Sequence, residues 1–200
     1  MTRCLVIVDV QNDFCPGGAL AVEHGDEVAA AITSLLARGD VTYDHVVATQ
    51  DFHIDPGSHF SREPDYVDSW PPHCRAGSYG ALLHDALSTK RIEAVFRKGQ
   101  YAAAYSGFEG STSTVTAEGE EDAVGLADWL RDKGVDDVHV VGLATDHCVR
   151  ATAADSAAAG FPTTVLLDLT AGIAPATVEA ALEQLRAGGV RLVGEPLLPG

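Results

Sequence analysis

An α/β fold with a mostly parallel sheet and helices on both faces is the fold class that the sequence predicts. Short β-branched runs alternate along the chain with Ala/Leu-rich stretches of helical periodicity. The run Leu5–Val10 is almost entirely apolar, as is typical of a parallel strand buried on both faces. With 200 residues, of which 46% are hydrophobic and 21% charged, the chain is expected to form a single Rossmann-like domain over residues 1–200.

Strands and helices are predicted in alternation from the periodicity of apolar residues. The strands are expected at Leu5–Val10, His45–Thr49, Ala94–Arg97, Val138–Gly142, Thr163–Leu167 and Val190–Val193. The first helix places Val28 and Ile32 on one face, and Gly160 and Gly188 mark where the last two helices stop. The helices are expected at Glu27–Leu36, Gly80–Leu87, Asp122–Lys133, Asp146–Gly160 and Ala176–Ala187.

Two long segments are predicted as loops. Asp51–Gly80 is rich in Pro, Gly, His and Asp, and a loop of this length in a compact domain is usually functional. Gly99–Glu118 includes a Gly/Ser/Thr tract at Gly110–Gly119.

Charge and motif content exclude several functions. The net charge of −16 argues against nucleic acid and anionic membranes as partners, because phosphate binding needs clustered Lys and Arg. No apolar run approaches the ~20 residues of a membrane span. The amino terminus lacks a small-residue cleavage site, so we expect a cytoplasmic protein. Glycine-rich phosphate-binding motifs are absent from the sequence, and no two cysteines have the spacing of a zinc finger.

Reactive side chains follow the predicted strands at their carboxyl ends, where open α/β sheets bind ligands. These strand-end residues are Asp9, Asp51, His53, Lys98, Cys148 and Asp168.

Cys148 is the candidate nucleophile among four cysteines. If Thr145 caps the following helix, Cys148 lies in its first turn, where the helix dipole and free N–H groups favour a thiolate and can bind an oxyanion. The alternative is a small buried core residue. The core interpretation is kept for Cys4, Cys15 and Cys74.

Asp9 and Lys98 are candidates for acid–base chemistry. Asp9 follows an apolar strand and could be the general acid/base for the thiol, or a turn residue at a strand end. Lys98 could be the electrostatic partner of Asp9 or of the oxyanion, or an ordinary surface lysine.

The loop after the second strand carries a potential metal site. One carboxylate and three imidazoles suit one divalent transition metal per chain, zinc, iron or manganese. The residues are Asp51, His53, His59 and His73. The alternative is a polar loop whose histidines bind nothing. The remaining histidines are expected to be structural or solvated: His24, His45, His84 and His139.

Aromatic residues near these positions could form the wall of an aromatic-substrate pocket, or cover the edge of the core. They are Phe14, Trp70, Tyr101, Tyr105 and Phe108. Trp70 precedes His73 by three residues and Phe14 follows Asp9 by five, which favours these two as pocket residues.

Five separated motifs together resemble the nicotinamidases, also called pyrazinamidases, which belong to the isochorismatase-like cysteine hydrolases. The motifs are Asp9–Phe14, Asp51–His53 with His59, Ser69–His73, Phe96–Gly99 and Ala144–Val149. The resemblance extends from about Arg3 to Val193. The segment Ser69–His73, together with the Asp/His cluster, resembles the nicotinamidases more than the isochorismatases, because the isochorismatases lack this set of metal ligands.

The resemblance implies an isochorismatase-type fold and a full set of site residues. Asp9, Lys98 and Cys148 would form a catalytic triad, and the Asp51 cluster would hold the metal. The Leu143–Ala144 bond would be cis, with the Ala144 and Cys148 amides as the oxyanion hole. The substrate-binding residues would be Phe14, Trp70, Tyr105 and His147. The stretch Gly110–Glu121 is longer than the usual family loop.

The implied activity is conversion of nicotinamide to nicotinate and ammonia, and of pyrazinamide to pyrazinoate, through a cysteine thioester. The implied partner is a small aromatic amide, and the protein could be a monomer or a homo-oligomer. Two alternatives remain: a related cysteine hydrolase of another small amide or carbamoyl compound, and a non-catalytic metal-binding protein on the same fold.

Overall fold

The computed structural model describes residues 1–38, 42–115 and 121–200. Its strands are β1 (Arg3–Val8), β2 (His45–Asp51), β3 (Ala94–Lys98), β4 (Ser111–Val115), β5 (Glu121–Gly125), β6 (Asp137–Leu143), β7 (Thr163–Ala171) and β8 (Arg191–Val193). Its helices are α1 (Gly25–Ala37), α2 (Leu126–Asp132), α3 (Arg150–Ala158) and α4 (Pro175–Ala187). Within this described part, no helix combines the length and the apolar character needed to cross a membrane.

These strands form one eight-stranded sheet in the order β5-β4-β3-β2-β1-β6-β7-β8. All neighbouring pairs from β3 to β8 are parallel, whereas β4 and β5 are antiparallel additions at one edge. The predicted α/β class with a mostly parallel sheet is therefore confirmed, although the sheet has eight strands rather than six.

The central strand β1 separates two hydrophobic cores. Leu5 and Ile7 face α1 and pack with Val28 and Ile32, whereas Val6 faces the core that includes residues of α2, α3 and α4. Alternate side chains of a strand point to opposite faces, so a strand covered by helices on both faces is apolar throughout. Fully burying one such aliphatic side chain contributes about 1.5–3 kcal/mol.

Two predicted segments at the sheet edge are wrong. Part of the expected loop Gly99–Glu118 is β4, and the expected helix Asp122–Lys133 starts only at Leu126, because its first residues belong to β5. The two strands pair in register from Ser111 opposite Gly125 onward, and this cross-strand pairing overrides the weak local preference. Residues 116–120 of the long stretch lie outside the described residues.

Other boundaries also differ from the prediction, and the first of them is that of β1, which ends at Val8 rather than at Val10. Within Gly80–Leu87 only the beginning is helical, a single 3₁₀ turn at Tyr79–Ala81. The expected helix Asp146–Gly160 opens with a π-helical turn at Thr145–Val149, here called the Cys148 turn, before α3 begins. Strand β7 continues past Leu167 to Ala171, with a register irregularity opposite it in β6.

Candidate active site

Four strand ends bring the reactive residues together. Asp9 follows β1, Asp51 and Lys98 end β2 and β3, and the Cys148 turn follows β6. Lys98 is completely buried, and its Nζ lies 2.8 Å from Asp9 Oδ2 and 3.7 Å from Cys148 Sγ. The same Nζ contacts Asp51 Oδ1. The ammonium therefore joins two carboxylates and a thiol.

Asp9 has a backbone φ of +48°, a left-handed conformation that aspartate tolerates better than most residues. The Thr49 hydroxyl accepts a hydrogen bond from the Asp9 N–H at 3.2 Å and donates to Asp9 Oδ1 at 2.6 Å. These two bonds fix the carboxylate so that Oδ2 faces Lys98.

The electrostatics of the group differ from the expected thiolate at a helix end. Burial raises the pKa of the Cys148 thiol well above its usual value, Lys98 opposes this only in part, and Asp9 raises it further. Burial also raises the pKa of the Asp9 carboxyl against the effect of Lys98. Burial lowers the pKa of Lys98, but Asp51 and Asp9 outweigh it, so the net shift is upward. The sulfur is therefore protonated at rest, and Asp9 is a stronger base than a free carboxylate.

The Cys148 turn is held by backbone and side-chain contacts. The Leu143–Ala144 peptide bond that precedes it is cis. The Thr145 side chain does not cap the helix as expected, because its hydroxyl donates to Thr170 Oγ1 at 2.9 Å. Gly142 has a φ of +115°, and a Cβ there would lie 2.1 Å from the carbonyl oxygen of Val8. Only glycine allows β6 to pass β1 at this point.

Three buried imidazoles form a cluster beside Asp51. One ring nitrogen from each of His53, His59 and His73 lies within 4.8 Å of the others. Asp51 Oδ2 lies 3.6 Å from His53 Nε2 and 3.8 Å from His73 Nε2.

The orientation of these rings fits a bound cation. His53 Nδ1 donates to the Gly99 carbonyl at 2.6 Å, and His73 Nδ1 donates to the Pro71 carbonyl at 2.8 Å. Each Nδ1 is thus occupied by a backbone carbonyl, which leaves the Nε2 atoms of both rings as the nitrogens available to a metal. His53 Nε2 is buried and has no hydrogen-bond partner among the described residues. An orphaned nitrogen among imidazoles and a carboxylate is satisfied by a transition metal.

An aromatic pocket lies between Cys148 and the histidine cluster. It includes all four residues expected to contact substrate, namely Phe14, Trp70, Tyr105 and His147. Trp70 Nε1 donates to the Tyr105 hydroxyl at 3.0 Å, and the Trp70 ring meets His147 edge to face at 5.4 Å. Ala144 also lines the pocket.

The other two aromatic candidates lie elsewhere. Tyr101 is exposed to solvent, and Phe108 packs against Phe161 with ring centroids 6.4 Å apart.

The expectation that Asp168 lies at this rim is wrong. Because β7 continues to Ala171, Asp168 is an exposed mid-strand residue that accepts a hydrogen bond from the Glu195 N–H at 2.9 Å.

A third aspartate of the site, Asp146, was not predicted to have a role, and neither was the pocket residue that it holds. Asp146 Oδ1 accepts the Ile173 N–H at 3.1 Å, and its Oδ2 accepts the Thr177 hydroxyl at 2.5 Å. Ile173 lines the pocket. The position of Asp146 directly before His147 and Cys148 was the available signal, whereas no sequence pattern marks Ile173.

A family comparison identifies the fold. The profile of the isochorismatase domain matches residues 3–194. The chain belongs to the isochorismatase domain family. Within this family it is 56% identical to the nicotinamidase/pyrazinamidase of Mycobacterium tuberculosis, over 96% of this chain and 98% of that protein.

Solved structures of other members have the same architecture. PnC1 of L. infantum in complex with nicotinate superposes with a TM-score of 0.81 at 37% identity, covering 99% of this chain and 95% of that one. The pyrazinamidase of Pyrococcus horikoshii in complex with zinc gives 0.76 at 34% identity, covering 96% of this chain and 99% of that one.

Proposed function

We propose that this chain is a metal-containing nicotinamidase that hydrolyses nicotinamide, and also pyrazinamide, to the aromatic acid and ammonia. The observation that carries the proposal is the contact of Lys98 with Asp9 and Cys148 on one side of an aromatic pocket, with the histidine cluster on the other. The similarity to the M. tuberculosis enzyme supports the same activity. The L. infantum complex supports an aromatic ligand in this pocket.

The first half-reaction forms a thioester. Asp9 accepts the Cys148 proton as the sulfur attacks the carboxamide carbon, and a C–S bond forms. The backbone N–H groups of Ala144 and Cys148 stabilise the oxyanion. Asp9 then transfers the proton to the departing nitrogen, and the C–N bond breaks to release ammonia.

The second half-reaction restores the enzyme. Asp9 accepts a proton from water as its oxygen attacks the thioester carbon, and the C–S bond then breaks. The proton returns to the sulfur, so the products are the aromatic acid and free Cys148. Lys98 stabilises the Asp9 carboxylate in the two states in which Asp9 has to accept a proton, before the attack by sulfur and before the attack by water.

A divalent metal would be held by four buried residues: Asp51, His53, His59 and His73. When bound, such an ion supplies a Lewis-acidic point for the pyridine nitrogen of the substrate. The zinc in the P. horikoshii protein supports a divalent metal here. Three nitrogens and one carboxylate are compatible with zinc, iron or manganese.

The chain as a whole fits a small-molecule enzyme. A single sheet links the described strands, which supports one domain over residues 1–200. The net charge of −16 disfavours nucleic acid and anionic membranes as partners, because phosphate binding needs clustered Lys and Arg.

The direct test of this activity is release of ammonia from nicotinamide by metal-replete protein, with a linear aliphatic amide as the comparison substrate. We expect turnover of nicotinamide and pyrazinamide and little turnover of the aliphatic amide. Ammonia from the aliphatic amide alone would identify a different amidase of this family, and ammonia from neither would reject the amidase assignment.

Metal content should follow the histidine cluster. Purified protein is expected to carry about one divalent transition metal per chain. The His59→Ala variant should lose most of this metal and most activity, because the cluster loses one of three imidazoles. His24, a half-buried residue that pairs with Glu27 away from the cluster, provides the control, and His24→Ala should keep both the metal and the activity. The measurement is the metal content of each variant by elemental analysis, compared with its rate of nicotinamide hydrolysis. Full metal occupancy in His59→Ala would contradict the assignment.

Tyr105 should contribute to substrate binding rather than to chemistry. In Tyr105→Phe the Trp70 N–H loses its acceptor, and a hydrogen bond of this type is worth about 0.5–1.5 kcal/mol. We expect KM for nicotinamide to rise about 2- to 10-fold, with kcat nearly unchanged. The control is Tyr43→Phe, which removes a hydroxyl bonded to His139 outside the pocket. A fall in kcat with unchanged KM would contradict this role.

A further inference from the structure

At the carboxyl edge of the sheet, β1 ends before its neighbour β2. The last paired residues of the two strands are Ile7 and Ala48. β1 then ends at Val8, whereas β2 continues to Asp51. On the side facing β1, the Asp51 backbone therefore lies beyond the last rung of the ladder.

The side chain of Gln11 takes the place of the missing strand. Gln11 is completely buried. Its Oε1 accepts the Asp51 N–H at 2.9 Å, and its Nε2 donates to the Asp51 carbonyl at 2.9 Å. The same Nε2 also donates a hydrogen bond to the Ala81 carbonyl at 2.8 Å. A carboxamide has both a donor and an acceptor, so it can pair with a peptide unit as another strand would.

Asp51, the residue that Gln11 holds, has a carboxylate with two different sets of contacts. One oxygen of the Asp51 carboxylate contacts Lys98, and the other lies 3.6 Å and 3.8 Å from nitrogens of His53 and His73. A rotation of the Asp51 backbone would displace both oxygens. Groups that orient metal ligands from behind typically change metal affinity by about 10- to 100-fold when removed.

We propose that Gln11 is a positioning residue that pairs with the Asp51 backbone, directs its carboxylate toward the histidine cluster and thereby sets the affinity for a divalent metal. The proposal rests on the metal site of the proposed function.

The test measures zinc binding directly and needs no substrate. Gln11→Met preserves length and burial but cannot pair with Asp51. Gln50→Met is the matched control, because Gln50 is also buried and its Nε2 donates to the same Ala81 carbonyl at 3.0 Å, but its side chain does not pair with the Asp51 backbone. Demetallated wild-type and variant proteins are titrated with zinc against a chromophoric chelator, and the thermal midpoint of each is recorded.

We expect the zinc Kd of Gln11→Met to rise about 10- to 100-fold, and that of Gln50→Met to change less than about threefold. If Gln11→Met does not fold, Gln11→Glu replaces it, since it retains an acceptor for the Asp51 N–H and loses the amide donors. Its zinc Kd should also rise.

Equal weakening in the Gln11 and Gln50 variants, or wild-type affinity in the Gln11 variants, would overturn the role of Gln11 while leaving the metal site intact. A wild-type protein that binds no zinc at all would reject the metal site and this proposal with it. The amidase assay on the wild type tests the hydrolytic reaction separately.

Discussion

Cys148→Ala is expected to abolish nicotinamide hydrolysis while leaving the fold unchanged. The Cys148 sulfur lies 3.7 Å from the Lys98 ammonium and at the wall of the aromatic pocket, so its removal eliminates the thioester route. Removing the nucleophile from a comparable catalytic set costs about 10⁴-fold or more in kcat. The measurements are the rate of ammonia release from nicotinamide and the midpoint of thermal unfolding, which reports whether the fold is unchanged.

The control for this variant is another buried cysteine. Cys15 packs in the core on the α1 side, and burial raises the pKa of its thiol to about 12. Cys15→Ala should be less stable than the wild type, because it leaves a small cavity, but should retain its activity. Substantial turnover by Cys148→Ala, verified free of wild-type contamination, would reject the cysteine-hydrolase mechanism.

Asp9→Asn is expected to lower kcat by about 10²- to 10⁴-fold, the usual contribution of general acid–base catalysis. An amide can still accept the Thr49 hydroxyl, so the local geometry is retained, but it cannot take the proton from Cys148. The Lys98 ammonium would then lose one of the two carboxylates that lie beside it among the described residues.

Asp168→Asn is the matched control for Asp9→Asn. Asp168 also belongs to a parallel strand, but it is exposed and bonds the Glu195 N–H. Its variant should hydrolyse nicotinamide at the wild-type rate. A loss of less than about tenfold in Asp9→Asn would mean that another group moves the proton.

The strands and helices of the interior were predictable because their sequences have a simple pattern of apolar residues and boundary signals. β1 is covered on both faces, so it shows as an unbroken apolar run. α4 has Pro175 in its first turn and Gly188 at its end, which are strong boundary signals. The edge strands β4 and β5 had no comparable signal, because neither STSTV nor EDAVG is the continuous apolar run that marks a strand buried on both faces. Their pairing with each other, and that of β4 with β3, cannot be read from composition.

The residues at the site were predictable to the extent that strand ends determine them. Asp9, Lys98 and Cys148 lie at or just beyond the carboxyl ends of β1, β3 and β6, which are near one another in the sheet, so their convergence follows from topology. The pairing of Gln11 with Asp51 was not predictable, because it depends on where β1 stops relative to β2. The misplacement of Asp168 has the same origin: the length of β7 is set by its partner strand and not by its own composition.

The two hydrogen bonds of the Asp146 carboxylate also bear on how the pocket can change shape. Asp146 lies in the Cys148 turn, and it binds the Ile173 amide and the Thr177 hydroxyl at the start of α4. These bonds connect the segment that contributes Ile173 to the pocket wall with the turn that contains Cys148. A displacement of the Ile173 backbone that widened the pocket would therefore either break these hydrogen bonds or move Cys148 as well. Accommodation of bulkier ligands is therefore easier through truncation of the Ile173 side chain than through movement of its backbone.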